Sequence, residues 1–397
     1  MLKKLGLRTV ATIAAIANLA GCSQGTVAHE EEAVGTRPQP LAEIKSANGE
    51  QLILVGEAKS VVVKSARELK LNADEPPGEL TSNEDQLAEE LRAVVLSDGY
   101  EYRGGPAREL ARKVLADRSK AGGLGSASSE AGSSESDREG RVVFGSDGRT
   151  YQSSNTSFPY RTFVWSEVEC TGTMIGPGTM VTAAHCVYDT VNDAWLKVWD
   201  PTSGPSGADR YPRYSPGVDG RDATQAPYGW QQCYDVAIPG GYSSATSDTS
   251  SAAQLYDYAV LDFTTRCGVR PGDATGWMGT WLYSEASIES LTTYIYGYPQ
   301  YALDVYRYTG SVPNHFAEIW GMSGAAGTTY IDSPTTTLRT TIDTYGGQSG
   351  SAYWVNDTDR RVIGIHHGGN SSYNVARRFD ADVYNFWDAY SPYPQQL

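Results

Sequence analysis

A Gly/Ser-rich stretch at residues 119–141 divides this chain into two parts with different hydrophobic patterns. It reads SKAGGLGSASSEAGSSESDREGR and has no periodic apolar pattern. Segments of this composition bury too little apolar surface to fold alone and behave as flexible linkers that proteases cut easily. The stretch ends at Arg141, directly before the apolar sequence VVF. We therefore predict a linker at 119–141 with a processing cleavage after Arg141.

Residues 142–397, which follow the linker, have the pattern of a β domain. Turns rich in Gly, Pro, Ser and Asp separate short runs such as YRTFVW, YAVLDF, TTYIYGYP and RVIGIHH. Many short strands with turns between them are typical of antiparallel barrels and sandwiches. Near the end of the chain, DADVYNFWDAY has large apolar residues at helical spacing. We therefore predict an all-β domain that carries a C-terminal helix.

The first residues have the three regions of an export signal. MLKKLGLR is basic, TVATIAAIA is apolar but too short to span a membrane, and NLAGC offers small residues for cleavage. The ending LAGC also resembles a bacterial lipobox, which implies cleavage before Cys22 and lipid attachment to its thiol. The alternative is an ordinary signal peptide that happens to contain a cysteine. We predict a lipoprotein signal peptide at 1–21 and a precursor anchored by its lipid to the bacterial cell envelope.

Residues 22–118 are predicted to be a partly helical pro-region. SNEDQLAEELRAVVL has helical spacing, with Ser82 as a possible cap and acidic residues in the first turn. GGPARELARKVLADRSK is predicted to be a second helix that starts at Pro106. Cleavage after Arg141 then separates the β domain from Cys22, so the mature protein is expected to be extracellular.

Charge and cysteine count limit the partners and the compartment. The formal net charge of −15 argues against a nucleic-acid partner, which requires a basic surface. Acylation of Cys22 leaves four of the five cysteines, an even number in an exported and oxidising setting. Four cysteines allow three pairings, and of these we predict Cys170–Cys186 and Cys233–Cys267.

A histidine and an aspartate provide two parts of a candidate catalytic site. In MVTAAHCVYD, two small alanines and Cys186 surround His185, which favours a closely packed functional histidine over a lone core residue. Asp257 precedes the apolar strand YAVLDF, where a half-buried carboxylate could orient an imidazole. Asp235 in CYDVAIP is an alternative, but Pro239 ends that strand early.

The stretch IDTYGGQSGSAYW provides a candidate nucleophile. A serine hydroxyl such as that of Ser349 needs a base to remove its proton. Gly347 and Gly350 allow a sharp turn, so that the N–H groups of Gly347 and Ser349 can form an oxyanion hole. Each such donor contributes about 3–4 kcal/mol to catalysis. With His185 and Asp257, Ser349 completes a predicted triad.

The order His–Asp–Ser, with TAAHC and GGQSGS, resembles the chymotrypsin-like serine peptidases. CTGTMIGPGTMVTAAHCVYDT, YDYAVLDF, IYGYP and IDTYGGQSGS are similar to the bacterial glutamyl endopeptidase branch, over residues 142–390. The resemblance implies two perpendicular six-stranded barrels with the triad in the cleft between them. It further implies peptide or protein substrates, an acyl-enzyme, no cofactor or metal, a monomer, and a pro-region that inhibits or aids folding.

The resemblance also implies a pocket for a substrate glutamate. His366 in RVIGIHHGG matches the histidine of that branch, Thr344 matches its hydroxyl donor, and the amine of Val142 is freed by cleavage. Asp343 keeps a trypsin-like basic specificity open, because an acid at this spacing binds basic side chains. The role of His367 is open. His366 and His367 are not predicted to share a metal, because adjacent strand residues face opposite ways.

The distribution of acidic residues is consistent with a preference for glutamate. Residues 142–397 contain 5 Glu and 20 Asp, whereas residues 1–141 contain 17 Glu and 5 Asp. A protease that cuts after Glu benefits from a Glu-poor body. The body has a single lysine, Lys197, so a lysine-specific enzyme would be depleted in a similar way. A third alternative is a surface binding protein on an inactive protease scaffold.

Overall fold

The structure is a computed structural model that describes residues 40–45, 51–63, 69–70, 80–104, 107–120, 141–198, 209–219, 226–299, 317–332 and 336–391. All of these belong to one unit, residues 40–397. The predicted signal peptide, Cys22, Pro106 and most of the linker lie outside the described residues. Within the described ranges, none of the helices has the length and apolar character needed to cross a bilayer.

The described part of the chain is mostly β-strand. In chain order its strands are β1 (Glu43–Lys45), β2 (Gln51–Glu57), β3 (Ser60–Val63), β4 (Leu69–Lys70), β5 (Ala93–Ser97), β6 (Tyr100–Gly104), β7 (Arg141–Val142), β8 (Thr150–Tyr151), β9 (Phe163–Ser166), β10 (Cys170–Met174), β11 (Thr179–Thr182), β12 (Tyr188–Asp189), β13 (Ala194–Val198), β14 (Tyr214–Pro216), β15 (Asp235–Pro239), β16 (Ala259–Asp262), β17 (Thr293–Gly297), β18 (Trp320–Gly324), β19 (Thr329–Asp332), β20 (Thr337–Thr340), β21 (Thr344–Tyr345), β22 (Ala352–Val355), β23 (Val362–Gly369) and β24 (Asn374–Arg378). The α-helices are α1 (Glu84–Glu90), α2 (Ala107–Lys120), α3 (Gly240–Ser243), α4 (Ser251–Tyr256), α5 (Gly272–Thr275), α6 (Glu285–Glu289) and α7 (Ala381–Tyr390).

Two large sheets organise the β domain. One has the order β1-β2-β6-β5-β15-β16-β11-β10-β9-β14, and six of its strands, β9 to β11 and β14 to β16, come from residues 142–397. The other has nine strands: eight of them, all from residues 142–397, have the order β19-β20-β24-β23-β22-β17-β18-β8, and β4 pairs with β23 beside this path. The ladders between strands of residues 142–397 are antiparallel. The all-β prediction with a C-terminal helix is confirmed, although residues 142–397 contribute eight described strands to the second sheet rather than six.

Strands of the predicted pro-region, residues 22–118, extend the first sheet. Strand β5 pairs antiparallel with β15 over five residues, from Ala93 opposite Pro239 to Ser97 opposite Asp235. All five residues of β5 are buried, as expected for a strand inside a sheet. Two further strands of the pro-region pair with the β domain in parallel, β3 with β13 and β4 with β23. The described residues between 40 and 120 are therefore part of the same folded body as the β domain.

The prediction of one helix across SNEDQLAEELRAVVL was partly wrong. Helix α1 ends at Glu90, and the following residues form the buried strand β5. The β-branched Val94 and Val95 favour a strand once a neighbouring strand is available to pair with them. The cap is Asn83 rather than Ser82, because the Asn83 side chain accepts a hydrogen bond from the Gln86 amide.

The two other predicted helices are present. In α2, Leu110 and Val114 are buried, as their helical spacing predicts. In α7, the face that was predicted to be apolar is buried, and Asp380 caps the helix by accepting from two amides of its first turn. α7 packs against α2 and against β16. The C-terminal helix thus touches both the pro-region and the strand that follows Asp257.

The structure contains both predicted disulfides. Cys170 at the start of β10 is bonded to Cys186, in the turn beyond β11. Cys233 precedes β15, and its partner Cys267 follows β16. Each bond therefore joins two neighbouring parts of the first sheet, and the first one fixes the turn that carries His185.

Candidate active site

His185 lies in a 3-10 turn, Ala184–Cys186, one residue beyond the end of β11. Ala183 and Ala184 are fully buried, so the turn packs closely against its neighbours. The His185 backbone N–H donates to Asp257 Oδ1 at 3.0 Å, and its ring Nδ1 lies 2.8 Å from Asp257 Oδ2. Two hydrogen bonds to one carboxylate fix both the backbone and the imidazole plane. The Nδ1 contact leaves Nε2 as the atom that can act as a base.

Asp257 follows α4 and precedes β16. It is fully buried, whereas the sequence predicted a half-buried residue. Burial raises the pKa of Asp257, but the charge and hydrogen bond of His185, followed by the nearby His367 ring, outweigh burial and hold the pKa well below its usual value. The carboxylate is therefore ionised at neutral pH. The alternative, Asp235, lies at the start of β15 and accepts a hydrogen bond from Arg266 Nε at 3.0 Å instead.

Ser349 lies in the loop between β21 and β22, against the turn that carries His185. Its carbonyl accepts from the Thr171 amide at 2.8 Å, and the disulfide-bonded Sγ of Cys186 lies 3.6 Å from the same oxygen. Ser349 Oγ and His185 Nε2 are both buried, and neither has a hydrogen-bond partner among the described residues. The structure thus brings the three predicted residues to one place, without a hydrogen bond from Ser349 to His185.

The loop before Ser349 has the backbone that an oxyanion hole requires. Gly347 has a φ of 96°, and its carbonyl accepts from Thr171 Oγ1 at 2.9 Å. No described residue accepts a hydrogen bond from the amides of Gly347 or Ser349. At Gly350, with a φ of 84°, a Cβ atom would lie 2.1 Å from the Thr171 carbonyl oxygen, so no larger residue fits. The two predicted amides are therefore available to a ligand.

Arg149 and Gln348 support this loop, and the sequence did not single them out. Gln348 is fully buried; its Oε1 accepts from the Tyr345 amide at 3.0 Å and from Arg149 Nη1 at 3.2 Å. Its Nε2 donates to the Trp320 carbonyl at 3.2 Å. Arg149 in turn is held by two bonds to Asp147. The position of Gln348, directly before the nucleophile candidate, was the one signal available in the sequence.

Asp343, which kept a basic specificity open, holds the start of the β domain. Its Oδ1 accepts from the Phe144 amide at 2.8 Å, and its Oδ2 accepts from the Gly148 amide at 2.7 Å. The residue is 4% exposed. Because both oxygens are engaged by backbone amides, this carboxylate has a structural role in the described molecule. The basic-specificity alternative loses the residue on which it depended.

His366 and Thr344 both have unpaired polar atoms inside the protein. His366 lies in β23, fully buried, with Nδ1 3.4 Å from the Tyr353 hydroxyl, while Nε2 has no partner among the described residues. Burial, together with the nearby His367 and His185, lowers the pKa of His366 to about 3, so the ring is neutral. Thr344 Oγ1 is also without a described partner. Val142 pairs with Thr344 across β7 and β21.

His367 lies close to Asp257. Its Nδ1 is 3.5 Å from Asp257 Oδ2, and the ring is fully buried. Tyr353 is the nearest polar partner of His366, so the two adjacent histidines contact different groups.

Cys170, His185 and Cys186 lie close together and have the residue types of a metal site. Its two sulfur atoms are joined in a disulfide, however, and a disulfide sulfur is not the thiolate that metals bind.

Comparison with known proteins places this site in a family. The profile of the trypsin-like peptidase domain matches residues 170–365. The chain is 31% identical over 255 residues to a Bacillus subtilis (strain 168) protein named extracellular metalloprotease, covering 61% of this chain and 67% of that protein. It is 30% identical over 257 residues to the glutamyl endopeptidase of Bacillus licheniformis, covering 62% and 67%. The chain belongs to the trypsin-like serine peptidases.

Solved structures were compared as well. A structure described as Glu endopeptidase in complex with MPD aligns with a TM-score of 0.46 at 27% identity, covering 62% of this chain and 98% of that one. The protease Anisep from Arthrobacter nicotinovorans aligns with a TM-score of 0.39 at 16% identity, covering 58% and 96%. In this trypsin-like serine peptidase, the family match covers His185, Asp257 and Ser349, and the pro-region lies outside it.

Proposed function

We propose that this protein is an exported serine endopeptidase, made as a zymogen, that prefers glutamate before the scissile bond. The observation that carries the catalytic part is the buried His185–Asp257 pair beside Ser349, next to two unengaged amides. Membership of the trypsin-like serine peptidases supports the reaction class. The proposed triad is His185, Asp257 and Ser349.

The reaction follows from these positions. The Ser349 hydroxyl attacks the substrate carbonyl, and His185 Nε2 takes the hydroxyl proton and then donates it to the leaving amine. Asp257 stabilises the imidazolium through the Nδ1 contact of 2.8 Å. The amides of Gly347 and Ser349 donate to the oxyanion of the tetrahedral intermediate. Water, activated by His185, then hydrolyses the acyl-enzyme by the same steps.

The preference for glutamate rests on His366. The Tyr353 hydroxyl stays protonated, because burial raises its pKa far above the usual value, and we assign it as the donor to His366 Nδ1, 3.4 Å away. In this proposed tautomer the proton of the neutral ring is on Nε2, a buried atom that has no hydrogen-bond partner among the described residues. A glutamate carboxylate supplies the missing acceptor, and Thr344 Oγ1 offers a second donor. The similarity to a protein named glutamyl endopeptidase supports this choice.

The closed state of the site supports a zymogen. Ser349, His185 and His366 are each at most 1% exposed while residues 40–141 are attached. Strand β4 of the pro-region lies along Gly368 and Gly369, directly after the two histidines. We propose that the pro-region both inhibits the site and aids folding. Cleavage after Arg141 frees the Val142 amine next to Thr344. We also propose that lipid attached to Cys22 anchors the precursor.

A labelling and cleavage experiment tests this function. The processed protein should react with a fluorophosphonate probe, and Ser349→Ala should abolish the reaction. Matched peptides with Glu, Asp, Lys or Phe before the scissile bond should be cut fastest after Glu. A lack of labelling in the processed wild-type protein would favour a binding protein on an inactive scaffold. Preference for Lys would refute the role of His366.

A further inference from the structure

The carboxylate of Asp257 faces two imidazoles rather than one. Oδ2 lies 2.8 Å from Nδ1 of His185 and 3.5 Å from Nδ1 of His367. Both rings and the carboxylate are fully buried, so water does not screen these contacts. His367 therefore lies beside the proposed triad, next to the same carboxylate oxygen that His185 contacts.

The backbone of β23 aims His367 at Asp257. In the pairing with β24, His366 is opposite Ala376 and Gly368 is opposite Val375, so His367 is the extra residue of a β-bulge. A bulge leaves one residue outside the ladder and turns its side chain in a new direction. The irregularity of this strand therefore lies at the residue that reaches the carboxylate.

Among the described residues, Asp257 is also the acceptor placed to receive a proton-donating contact from the His367 ring. Neither nitrogen of His367 has a hydrogen-bond partner at standard distance among the described residues. A buried polar atom without a partner costs about 1–3 kcal/mol. A proton on Nδ1 gives the ring a donor that faces a full negative charge 3.5 Å away, and leaves Nε2 unprotonated. No other described acid forms an ion pair with His367.

We propose that His367 is a positioning residue, whose Nδ1–H shares the Asp257 carboxylate with His185 and thereby weakens the hold of that carboxylate on protonated His185. This rests on the proposed function. Loss of the second donor concentrates the charge of Asp257 on His185, which favours the imidazolium. Activity, which requires neutral His185, then begins at a higher pH.

One further titratable group lies near Asp257 and the rings of His185 and His367. It is His366, which interacts electrostatically with all three. His366 stays neutral, because its pKa is about 3. Its charge therefore does not change across the near-neutral pH range in which a histidine acts as a general base.

Two matched pairs of variants test the proposal. His367→Asn keeps an N–H donor close to the position of Nδ1, whereas His367→Leu has nearly the same shape and no donor. His367→Thr and His367→Val form a second pair of equal size, in case either larger variant folds poorly. We expect the acid limb of the kcat/KM profile to move up by about 0.5–1 pH unit in Leu and Val relative to Asn and Thr.

A second measurement does not depend on turnover. In the full chain with Ser349→Ala, the five histidines carry ¹⁵N labels, and the His185 ring is titrated by NMR. The midpoint should rise by the same amount in His367→Leu as the kinetic limb does, and should stay in place in His367→Asn. Equal midpoints in all variants would overturn the proposal and leave His367 a packing residue. A wild-type enzyme without turnover would overturn the proposed function, while the NMR titration would still decide the role of His367.

Discussion

The proposed specificity depends on the protonation of one residue, His366. Burial disfavours the charged ring, and in the tautomer that we propose Tyr353 donates to Nδ1 while Nε2 carries the proton offered to substrate. A neutral donor binds a carboxylate without attracting every anion as strongly as a fixed positive charge would. The histidine is therefore suited to recognising the carboxylate at the end of a glutamate side chain.

Replacement of His366 should separate specificity from catalysis. His366→Ala should lower kcat/KM for Glu peptides by about 10- to 100-fold, the value of one hydrogen bond to a charged group. The rate of fluorophosphonate labelling at Ser349 should change little, because the probe carries no carboxylate. Thr344→Val is the matched comparison and should show a smaller loss. Equal losses of cleavage and labelling would indicate that His366 only supports the fold.

The same histidine should make the protein sensitive to mild acid. Its pKa is about 3 in the folded protein and about 6.5 when unfolded, so the unfolded chain takes up the proton first as the pH falls. The folded state has its full stability above pH 6.5, and the free energy of unfolding decreases as the pH drops towards 3. The free energy of unfolding should drop by about 2–3 kcal/mol between pH 6.5 and 4.5 relative to His366→Gln. Urea unfolding at several pH values measures this difference. Parallel pH curves for the two proteins would contradict it.

At the scale of elements, the disulfide Cys170–Cys186 connects the start of β10 with the His185 turn. It closes a loop with a sequence separation of 16 residues, and such a loop is worth about 3 kcal/mol. The Ser349 carbonyl also contacts Cys186 Sγ at 3.6 Å. The bond therefore holds β10 against the His185 turn, and it lies beside Ser349 and His185, the proposed nucleophile and base.

Removal of each disulfide should have different effects on the site. Cys170→Ser with Cys186→Ser should lower stability by about 3 kcal/mol and also slow probe labelling at Ser349. Cys233→Ser with Cys267→Ser should destabilise by about 4 kcal/mol, since its separation is 34, yet preserve labelling while the protein stays folded. Thermal unfolding and labelling rates measure both effects. Equal labelling in both double variants would contradict a special role for the first bond.

Sequence patterns predicted those elements whose signal is local. The apolar faces of α2 and α7 recur at helical spacing, so both helices were predicted. The strand β5 was missed, because its five buried residues are explained only by pairing with β15, far along the chain. Residues with a motif, such as His185 and Ser349, could be proposed from sequence.

The supporting residues of the site could not be predicted in the same way. Arg149 reaches Gln348 across 199 positions of sequence, and His367 meets Asp257 only because a bulge turns it. The role of Asp343 was ambiguous in the sequence, since its amide partners at Phe144 and Gly148 become visible only after folding. Long-range polar contacts leave no periodic trace in a sequence, so their roles had to come from the structure.

At the scale of the whole molecule, the pro-region is built into the enzyme body. It supplies four strands of the first sheet, and β3 pairs with β13 over four residues. Helix α2 packs against α7, where Arg118 bonds the buried carboxylate of Asp382 through both oxygens. The only other described arginine near this carboxylate is Arg377, at 3.9 Å. The proposed cleavage after Arg141 would break the chain without removing any residue that makes these contacts.

We therefore predict that the processed enzyme keeps its pro-region as a non-covalent complex until the pro-region is digested. The 17 glutamates of residues 1–141 make it a substrate for an enzyme that cuts after Glu, whereas the body has 5. Ser349→Ala, cut after Arg141 by an added protease, should elute from gel filtration with both fragments together. Active wild-type enzyme should lose the pro-region with time. Separation of the inactive fragments directly after the cut would contradict the prediction.

The contact between Arg118 and Asp382 should decide how long this complex lasts. Arg118→Met leaves Asp382, whose side chain is 1% exposed, with Arg377 alone. An under-compensated buried charge costs about 2–3 kcal/mol, so the Kd of the cut pro-region should rise about 30- to 150-fold. Arg92→Met is the matched control, because Arg92 pairs with exposed Glu89 inside the pro-region. Its Kd should change less than threefold, since exposed pairs contribute about 0–1 kcal/mol. Similar Kd values for both variants would mean that β-strand pairing alone holds the pro-region, and activation would then depend on unpairing β5 from β15.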